Sequence, residues 1–247
     1  MVPFAPEPIV RLGFFNVTNT LLDAILVDII IIGIIFAMRK RLSLVPGRFQ
    51  TVVETILQEF YNLTYSVAGS NASKIFPYFM TFFIFILIAN WSGLIPGISA
   101  VGLRENGTLV PFLRAATSDL NVTLGLSLVS VIATHFLSVK KLGPKTYLTR
   151  YFSLNPLNMY VGLLELIGEF TKLISLSFRL FGNIFAGEVV LGIISTLFAF
   201  VLPLPFLFLE VIVGLVQALV FSMLTMAFMS VLMTSHAEEI SKEVSHQ

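Results

Sequence analysis

The sequence predicts an all-α polytopic membrane protein of one domain, 1–247, with three upright spans, an interfacial helix and a long, strongly tilted C-terminal helical hairpin. Of the 247 residues, 56% are hydrophobic, and the mean hydropathy is +0.92. Only 12% are charged, whereas soluble domains carry about 25%. Several apolar runs are also long enough to cross a bilayer. A soluble globule and a disordered chain are therefore excluded.

The counts of charged residues and cysteines exclude several kinds of function. Fifteen Lys and Arg against 14 Asp and Glu leave no basic excess for nucleic acid. The absence of Cys excludes a disulfide framework, a thiolate metal site and a cysteine nucleophile. The sequence also has no glycine-rich phosphate loop and no His/carboxylate cluster with metal-ligand spacing. We therefore expect no cofactor, no metal and no nucleic-acid partner.

The first predicted span covers residues 21–38 and follows an N-terminal segment, 1–20. It is apolar apart from Asp23 and Asp28, and it ends at the basic residues 39–41. The run is too long for the hydrophobic region of a cleaved signal peptide, and no small-residue cleavage site follows it. We therefore interpret it as a transmembrane helix.

An interfacial helix and two further spans complete the first part of the chain. Residues 49–67 mix apolar residues with Gln, Glu and Asn, which is too polar for a span and suits a helix that lies at the membrane interface or is buried against protein. Residues 75–94 and 120–139 are the second and third spans. The segment between them, 98–119, is predicted to be a loop. It carries three charged residues: Arg104, Glu105 and Arg114.

The positions of Lys and Arg predict the orientation, because cytoplasmic loops carry an excess of them. Nine basic residues follow the first and third spans: Arg39, Lys40, Arg41, Arg48, Lys74, Lys140, Lys141, Lys145 and Arg150. The N-terminal segment and the loop between spans two and three carry only Arg11, Arg104 and Arg114. The N-terminus is therefore predicted on the outer side and the C-terminus in the cytoplasm.

The last part of the chain predicts two helices that are longer than a membrane is thick. The helical pattern over 156–200 is interrupted at 201–205, a second helix follows over 206–234, and a polar tail covers 236–247. At a rise of about 1.5 Å per residue, the two helices would be about 66 Å and 43 Å long. The hydrocarbon core is only about 30 Å thick. We therefore expect the two helices to form a strongly tilted hairpin.

Six ionisable residues lie inside this hairpin, where charges are costly and usually functional. They are Glu165, Glu169, Lys172, Arg179, Glu188 and Glu210. Arg179 is the sharpest case, because an arginine keeps its proton and burial cannot neutralise it. Glu188 lies nine residues later, about 180° around the helix. We therefore expect the partner of Arg179 on another subunit, and an internal partner such as Asp28 or Asp119 is the alternative.

Glu188 and Glu210 lie on the two arms of the hairpin. Both can gain and lose a proton, so together they are candidates for a proton relay. Asn183 follows Arg179 by four residues and shares its helix face, and Gln217 follows Glu210 by seven on nearly the same face. Such polar residues suit a wet path, and hydrogen bonds between helices are the alternative.

The other ionisable residues have simpler interpretations beside a functional one. Glu165, Glu169 and Lys172 lie near one end of the first hairpin helix, so pairing with one another or an interfacial position is the alternative to a place on an ion path. His135 is alone in the third span and is predicted to be a hydrogen-bonded structural residue.

The segment from Ser177 to Glu188, SFRLFGNIFAGE, resembles the signature of the subunit a family of F-type ATP synthases. Four other segments are similar to further parts of the same family: 45–50, 90–96, 117–124 and 217–225. The resemblance covers most of residues 20–235, and the motif around Arg179 is highly specific.

This resemblance implies a stator that exchanges protons with a rotating partner. In the family, the arginine matching Arg179 faces the ring of c subunits and separates two aqueous half-channels. The residues matching Glu188 and Glu210 belong to the half-channel open to the outer side, although one bacterial pattern has His at the second position. The positions matching Asn183 and Gln217 lie close to the arginine or the path. Weaker path or supporting roles are implied for Glu165, Lys172 and Asn90.

The resemblance also implies partners and a location. The c-subunit ring, the b and b′ subunits of the peripheral stalk and the lipid bilayer would contact the chain, and the F1 sector would act on it indirectly. The chain itself would not be an enzyme. The bacterial style of Gly187-Glu188 favours a bacterial plasma membrane over a thylakoid or mitochondrial inner membrane.

Two other function classes stay open on the residues alone. A self-contained secondary transporter would need a substrate site at the midplane, commonly between repeats, and the sequence has no convincing repeat. A structural membrane subunit would carry intramembrane charges that only pair with one another.

Overall fold

The computed structural model describes residues 6–12, 15–40, 42–43, 46–95, 97, 101–105, 108–144, 147, 156–197 and 201–234. The predicted polar tail, 236–247, and the end of the first hairpin helix, 198–200, lie outside these residues. In the described part the strands are β1 (Pro8–Leu12), β2 (Phe15–Thr18), β3 (Gly102–Glu105) and β4 (Thr108–Pro111). The helices are α1 (Asn19–Arg39), α2 (Arg48–Ala68), α3 (Ala72–Ser92), α4 (Leu120–Leu142), α5 (Pro156–Leu197) and α6 (Pro203–Met233).

Five stretches of the described chain are helical, long and apolar enough to cross a membrane. They are Asn19–Arg39, Arg48–Ser92, Leu120–Leu142, Met159–Leu197 and Pro203–Met233. The predicted all-α membrane fold is confirmed at this level. The second stretch combines α2 and α3, which are separated by a turn of 3-10 helix, Gly69–Asn71. Gly69 has a φ of +54°, which a residue with a side chain rarely adopts, so the helix axis can change direction there.

Helix α1 begins where a short hairpin ends. Strands β1 and β2 pair antiparallel, and the Thr18 hydroxyl then accepts a hydrogen bond from the Leu21 N–H, which caps the helix. Only a narrow stripe of α1 is buried: Asn19, Thr20, Asp23 and Val27. The rest of the helix exposes aliphatic side chains, as a helix in lipid can.

The segment that the sequence analysis interprets as a plain loop, 98–119, contains regular structure. Strands β3 and β4 form an antiparallel hairpin, and a 3-10 turn follows at Ala116–Ser118. Residues 114–119 are all buried, and we call this segment the strap. The predicted loop is therefore more structured than the sequence indicates, and three different helices hold the polar groups of the strap, as described below.

Helix α6 is the centre of the packed core and contacts α3, α4 and α5. Phe79 and Ile86 of α3 are fully buried, as are Phe221 and Met229 of α6. Short polar side chains let α4 approach both hairpin helices closely, as small residues do between membrane helices. They form a buried row: Thr123, Ser127, Ser130, Thr134 and Ser138.

Helix α5 is one uninterrupted helix of 42 residues, or about 63 Å. No proline follows Pro156 within it, and α6 begins with Pro203 in its first turn, where a missing N–H costs nothing. The hydroxyls of Thr123 on α4 and Ser177 on α5 lie 3.1 Å apart, and those of Ser130 on α4 and Thr225 on α6 lie 2.8 Å apart. These bonds set the rotation of the hairpin helices and therefore decide which side chains of α5 face outward.

Candidate functional site

Arg179 lies on an exposed face of α5. Ser175, Gly182, Asn183 and Ala186 share this face, because they are spaced by three and four residues, and all are exposed. The guanidinium donates a weak hydrogen bond from Nη2 to Ser175 Oγ at 3.4 Å. Within the described part of the chain, Arg179 forms no salt bridge with a carboxylate. The face is lined by small residues, so another helix could approach the guanidinium closely.

The two internal partners considered for Arg179 are engaged or directed elsewhere. Asp119 accepts hydrogen bonds from the Thr20 hydroxyl at 2.9 Å and from the Asn121 N–H at 2.9 Å, and it caps α4. Asp28 is exposed on α1. Neither forms a salt bridge with Arg179 in the described structure, so the alternative of an internal partner at these two positions is not supported.

Asn183 and Gln217 meet across the hairpin. The Asn183 side-chain amide donates from Nδ2 to Gln217 Oε1 at 2.7 Å, and Gln217 is only 4% exposed. The sequence placed the two residues on the faces of Arg179 and Glu210 respectively, and the structure brings these faces together. This contact ties the position of α5 near Arg179 to α6.

Glu188 pairs with an arginine that the sequence analysis left without a role. Arg114 Nη2 donates to Glu188 Oε2 at 2.9 Å, and Arg114 Nε lies 3.2 Å from both carboxylate oxygens. The Arg114 side chain is 5% exposed, and that of Glu188 is 28% exposed. The pair joins the strap to α5 across a sequence separation of 74 residues.

Glu210 is buried beside this pair. Its carboxyl group lies directly over Gly187, where a Cβ would collide with it, so the glycine makes the room that Glu210 occupies. Glu188 is close enough for the two carboxylates to repel each other. Glu210 Oε1 is buried and has no hydrogen-bond partner among the described residues. Buried polar atoms are almost always bonded, so this oxygen is a candidate for proton exchange.

The strap is held in place from α1 and α3. Asp23 on α1 accepts hydrogen bonds at Oδ2 from the Ala116 N–H at 2.9 Å and from the Ser92 hydroxyl at 2.8 Å. Gly93, which ends α3, lies so close to Ala115 that a Cβ added there would be 2.6 Å from the Ala115 Cβ. The strap therefore lies against the end of α3, and its backbone has little freedom to carry Arg114 away from Glu188.

Asn90 connects the strap to α6. Its Oδ1 accepts from the Thr117 hydroxyl at 2.7 Å, and its Nδ2 donates to the Gly214 carbonyl at 2.9 Å. Trp91 next to it donates from Nε1 to the Val211 carbonyl at 3.1 Å. Asn90 and Trp91 thus fix the turn of α6 that carries Glu210, which gives the supporting role implied for Asn90 a structural basis.

Comparison with known proteins assigns the family to which this arrangement belongs. Residues 21–230 match the family described as ATP synthase A chain. The ATP synthase subunit a of Moorella thermoacetica is 31% identical over 236 residues, which are 96% of this chain and 100% of that protein. The chain belongs to the ATP synthase A chain family. Members are non-catalytic membrane subunits of the proton-translocating Fo sector, so the chain is not an enzyme.

A second charged cluster in this family member lies toward the N-terminal end of α5. Glu169 is 7% exposed and accepts at Oε1 from Lys172 Nζ at 2.8 Å. Its Oε2 lies 3.8 Å from His135 Nε2 on α4, and His135 Nδ1 lies 2.6 Å from the Tyr147 hydroxyl. The Lys172 ammonium also lies over the Phe228 ring of α6, 4.6 Å from its centre. His135 is therefore hydrogen-bonded, as the sequence predicts, and Glu165 lies half-buried one turn before Glu169.

Arg114 is the residue of the site that sequence reasoning missed. The signal that could have found it is its position three residues before Thr117-Ser118-Asp119, a polar run just before the third predicted span. A lone arginine there, between apolar residues and a membrane helix, needs a carboxylate partner. The family motif supplied Glu188 but did not indicate that the two residues meet.

Proposed function

We propose that this chain is the stator subunit of the Fo proton channel, which carries protons to and from the carboxylates of the c-subunit ring through two half-channels. Membership of the family supports this, and the observation that carries it is Arg179, exposed on α5 without an ion pair among the described residues. A permanent cation at membrane depth needs a negative partner. A rotor carboxylate that arrives at this face supplies one, and proton flow is thereby coupled to rotary ATP synthesis.

The first half of the path begins at the outer side with Glu188 and Glu210. A proton that reaches this pair passes toward the rotor, and Asn183 and Gln217 lie between the pair and Arg179 along the two helices. The rotor carboxylate becomes neutral when it accepts the proton. A neutral carboxyl group can face lipid, whereas a charged one cannot, so the ring turns in the direction that carries the neutral group away.

The second half of the path begins when the ring brings a protonated carboxyl group to Arg179 from the other side. The positive charge favours the carboxylate form, so the proton leaves toward the cytoplasm. Glu165 and Lys172, on the same helix toward that side, have supporting roles. Arg179 also repels protons that would cross directly between the half-channels. Each proton that crosses is worth about 2.3 kcal/mol per 100 mV.

The proposal includes an orientation and partners. The distribution of Lys and Arg places the N-terminus outside a bacterial plasma membrane and the C-terminus in the cytoplasm. Helix α5, at about 63 Å, is twice as long as the hydrocarbon core is thick, so it would lie strongly tilted along the ring. The b and b′ stalk subunits would hold the chain against the ring, and the F1 sector would act through them.

Replacement of the central arginine tests the proposal. In Arg179→Ala, the complex should assemble and its ATP hydrolysis should persist, but ATP-driven proton pumping into inverted membrane vesicles should be lost, because no fixed cation remains to discharge the rotor. Acidification of the vesicles measures pumping, and the amount of this chain in purified complexes measures assembly. Glu54→Gln on the exposed surface of α2 is the control and should pump at the wild-type rate.

The same variant separates the proposal from a structural role. If the charges only paired with one another, an assembled Arg179→Ala complex would pump normally, and that result would overturn the proposal. A self-contained transporter would move protons without a rotor, so transport by the purified chain alone in vesicles would contradict it as well.

A further inference from the structure

We infer that Arg114 is a positioning residue that holds Glu188 as a fixed anion of the outer half-channel, and that Glu210 is the side chain that takes up and passes on the proton. The inference rests on the proposed function and assigns different roles to the two carboxylates. It follows from the way each carboxylate is bonded. Glu188 is held by a guanidinium, whereas Glu210 keeps one buried oxygen free.

Arg114 occupies both oxygens of Glu188. Three donor–acceptor distances of 2.9 to 3.2 Å join them. A proton on Glu188 would neutralise the carboxylate that these N–H donors bind, and an arginine cannot compensate by losing its own proton. The guanidinium is itself almost fully buried, so Glu188 balances its charge best while it stays ionised. Glu188 is therefore poorly suited to carry protons.

Glu210, in contrast to Glu188, is not bound by a basic side chain among the described residues. Its Oε1 is buried and free, so a proton can bind there without breaking an existing hydrogen bond among the described residues. Among the described residues, the charged group that faces it is Glu188 on α5, which Arg114 binds. Helix α3 presents Asn90 and Trp91, which are uncharged and bonded to backbone carbonyls of α6. An acceptor with one free oxygen next to a fixed anion attracts a proton and can release it again.

The position of Arg114 is built into the fold. Asp23 holds the strap by the Ala116 N–H, and Asn90 holds it by the Thr117 hydroxyl, so two neighbouring residues just after Arg114 are anchored to different helices. This anchoring keeps Arg114 in place against Glu188.

A double-variant cycle in the complete complex tests the assignment. Arg114→Gln leaves an uncompensated carboxylate beside Glu210, and we expect pumping to fall about tenfold. Glu188→Gln removes the carboxylate that balances the buried guanidinium, and we expect a several-fold loss of pumping. The double variant Arg114→Gln/Glu188→Gln leaves neither charge, and pumping should return to within about threefold of wild type. No combination should rescue Glu210→Gln.

The dependence of pumping on the outer pH distinguishes positioning from mere structure. In Arg114→Gln the extra anion makes the proton of Glu210 harder to release, so the outer pH for half-maximal pumping should rise. The double variant should return it to the wild-type value, and Arg114→Lys, which keeps the charge, should lie near it. A loss of packing alone would lower the rate without moving this pH.

Several outcomes would overturn the inference while leaving the proposed function intact. If Glu188 carried the proton, Glu188→Gln and the double variant would be as defective as Glu210→Gln. If the double variant fails to assemble, or pumps no better than Arg114→Gln, charge compensation is not the role of Arg114. Failure of the proposed function itself would be seen separately, as normal pumping by assembled Arg179→Ala.

Discussion

Two carboxylate clusters lie along helix α5 and differ in whether their charges are fully compensated. In the Glu169 cluster, Lys172 binds one oxygen of the carboxylate and His135 lies near the other. In the Glu188 cluster, Arg114 compensates Glu188, but a second carboxylate, Glu210, lies beside the pair with one oxygen free. We call the Glu169 cluster closed, because both carboxylate oxygens lie near a nitrogen of another side chain, and the Glu188 cluster open, because one oxygen of Glu210 has no partner among the described residues.

The difference teaches which cluster can exchange a proton. Lys172 of α5 already binds one oxygen of Glu169, and the His135 ring of α4 lies 3.8 Å from the other, so the cluster joins two helices. Glu210 has no basic partner of its own among the described residues, and burial of a polar atom without one costs free energy. Such an arrangement is retained where it serves a function. We therefore expect changes at Glu210 to affect transport and changes at Glu169 to affect stability.

The largest effect is expected at Glu210. Glu210→Gln has nearly the same shape but cannot bind and release a proton, so pumping should fall about a hundredfold, as for the loss of a general acid–base group. Assembly should be unchanged, because Glu210 Oε1 accepts no hydrogen bond from the described residues. Vesicle acidification at equal amounts of complex is the measurement. Pumping at half the wild-type rate or more would contradict the assignment of proton exchange to Glu210.

A smaller effect is expected from moving Glu210 without removing it. Gly187→Ala places a methyl group where the Glu210 carboxyl group lies, and the end of this flexible side chain must shift. We expect pumping to fall about tenfold, because displacement of a reacting group by an ångström is costly. Gly168→Ala on the same helix is the matched control, since its Cβ would meet nothing within 4 Å. Equal rates for the two variants would contradict the role of Gly187.

The smallest effect on transport is expected at Glu169. Glu169→Gln keeps a hydrogen-bond acceptor but loses the ion pair with Lys172, which is partly exposed, so the cost is about 1 kcal/mol. Pumping should stay within about twofold of wild type, while the temperature at which the chain is lost from the complex should fall. Thermal dissociation followed by gel analysis measures this. A transport defect as large as that of Glu210→Gln would show that the closed cluster also carries protons.

The long helices were predictable from the sequence, because the length and apolarity of each run directly reflect the membrane it crosses. The run over 21–38 lies within α1, and the two hairpin helices follow from an absence of proline that is interrupted at 201–205. The strap was not predictable in this way. Its side-chain hydrogen bonds to α1, α3 and α5 join residues 27 to 99 positions apart, and no local period reports contacts at that distance.

The candidate site was predictable only where its residues share a helix face, because helical spacing is a local property of the sequence. Helical spacing places Asn183 on the face of Arg179 and Gln217 on that of Glu210, and the structure joins these two amides. Spacing could not reveal that Arg114 binds Glu188, because this contact depends on how a loop folds over the helices. The partner of Arg179 on another subunit stays a prediction.

The pairing of Arg114 with Glu188 has a consequence for biogenesis. Translation produces the strap before α5, so a nascent chain that has inserted its first four helices contains Arg114 before Glu188 has been synthesised. The ion pair between them can therefore form only when the C-terminal hairpin docks. Docking of the last two helices thus completes both the fold and this ion pair, and the pair would distinguish a finished chain from an incompletely synthesised one.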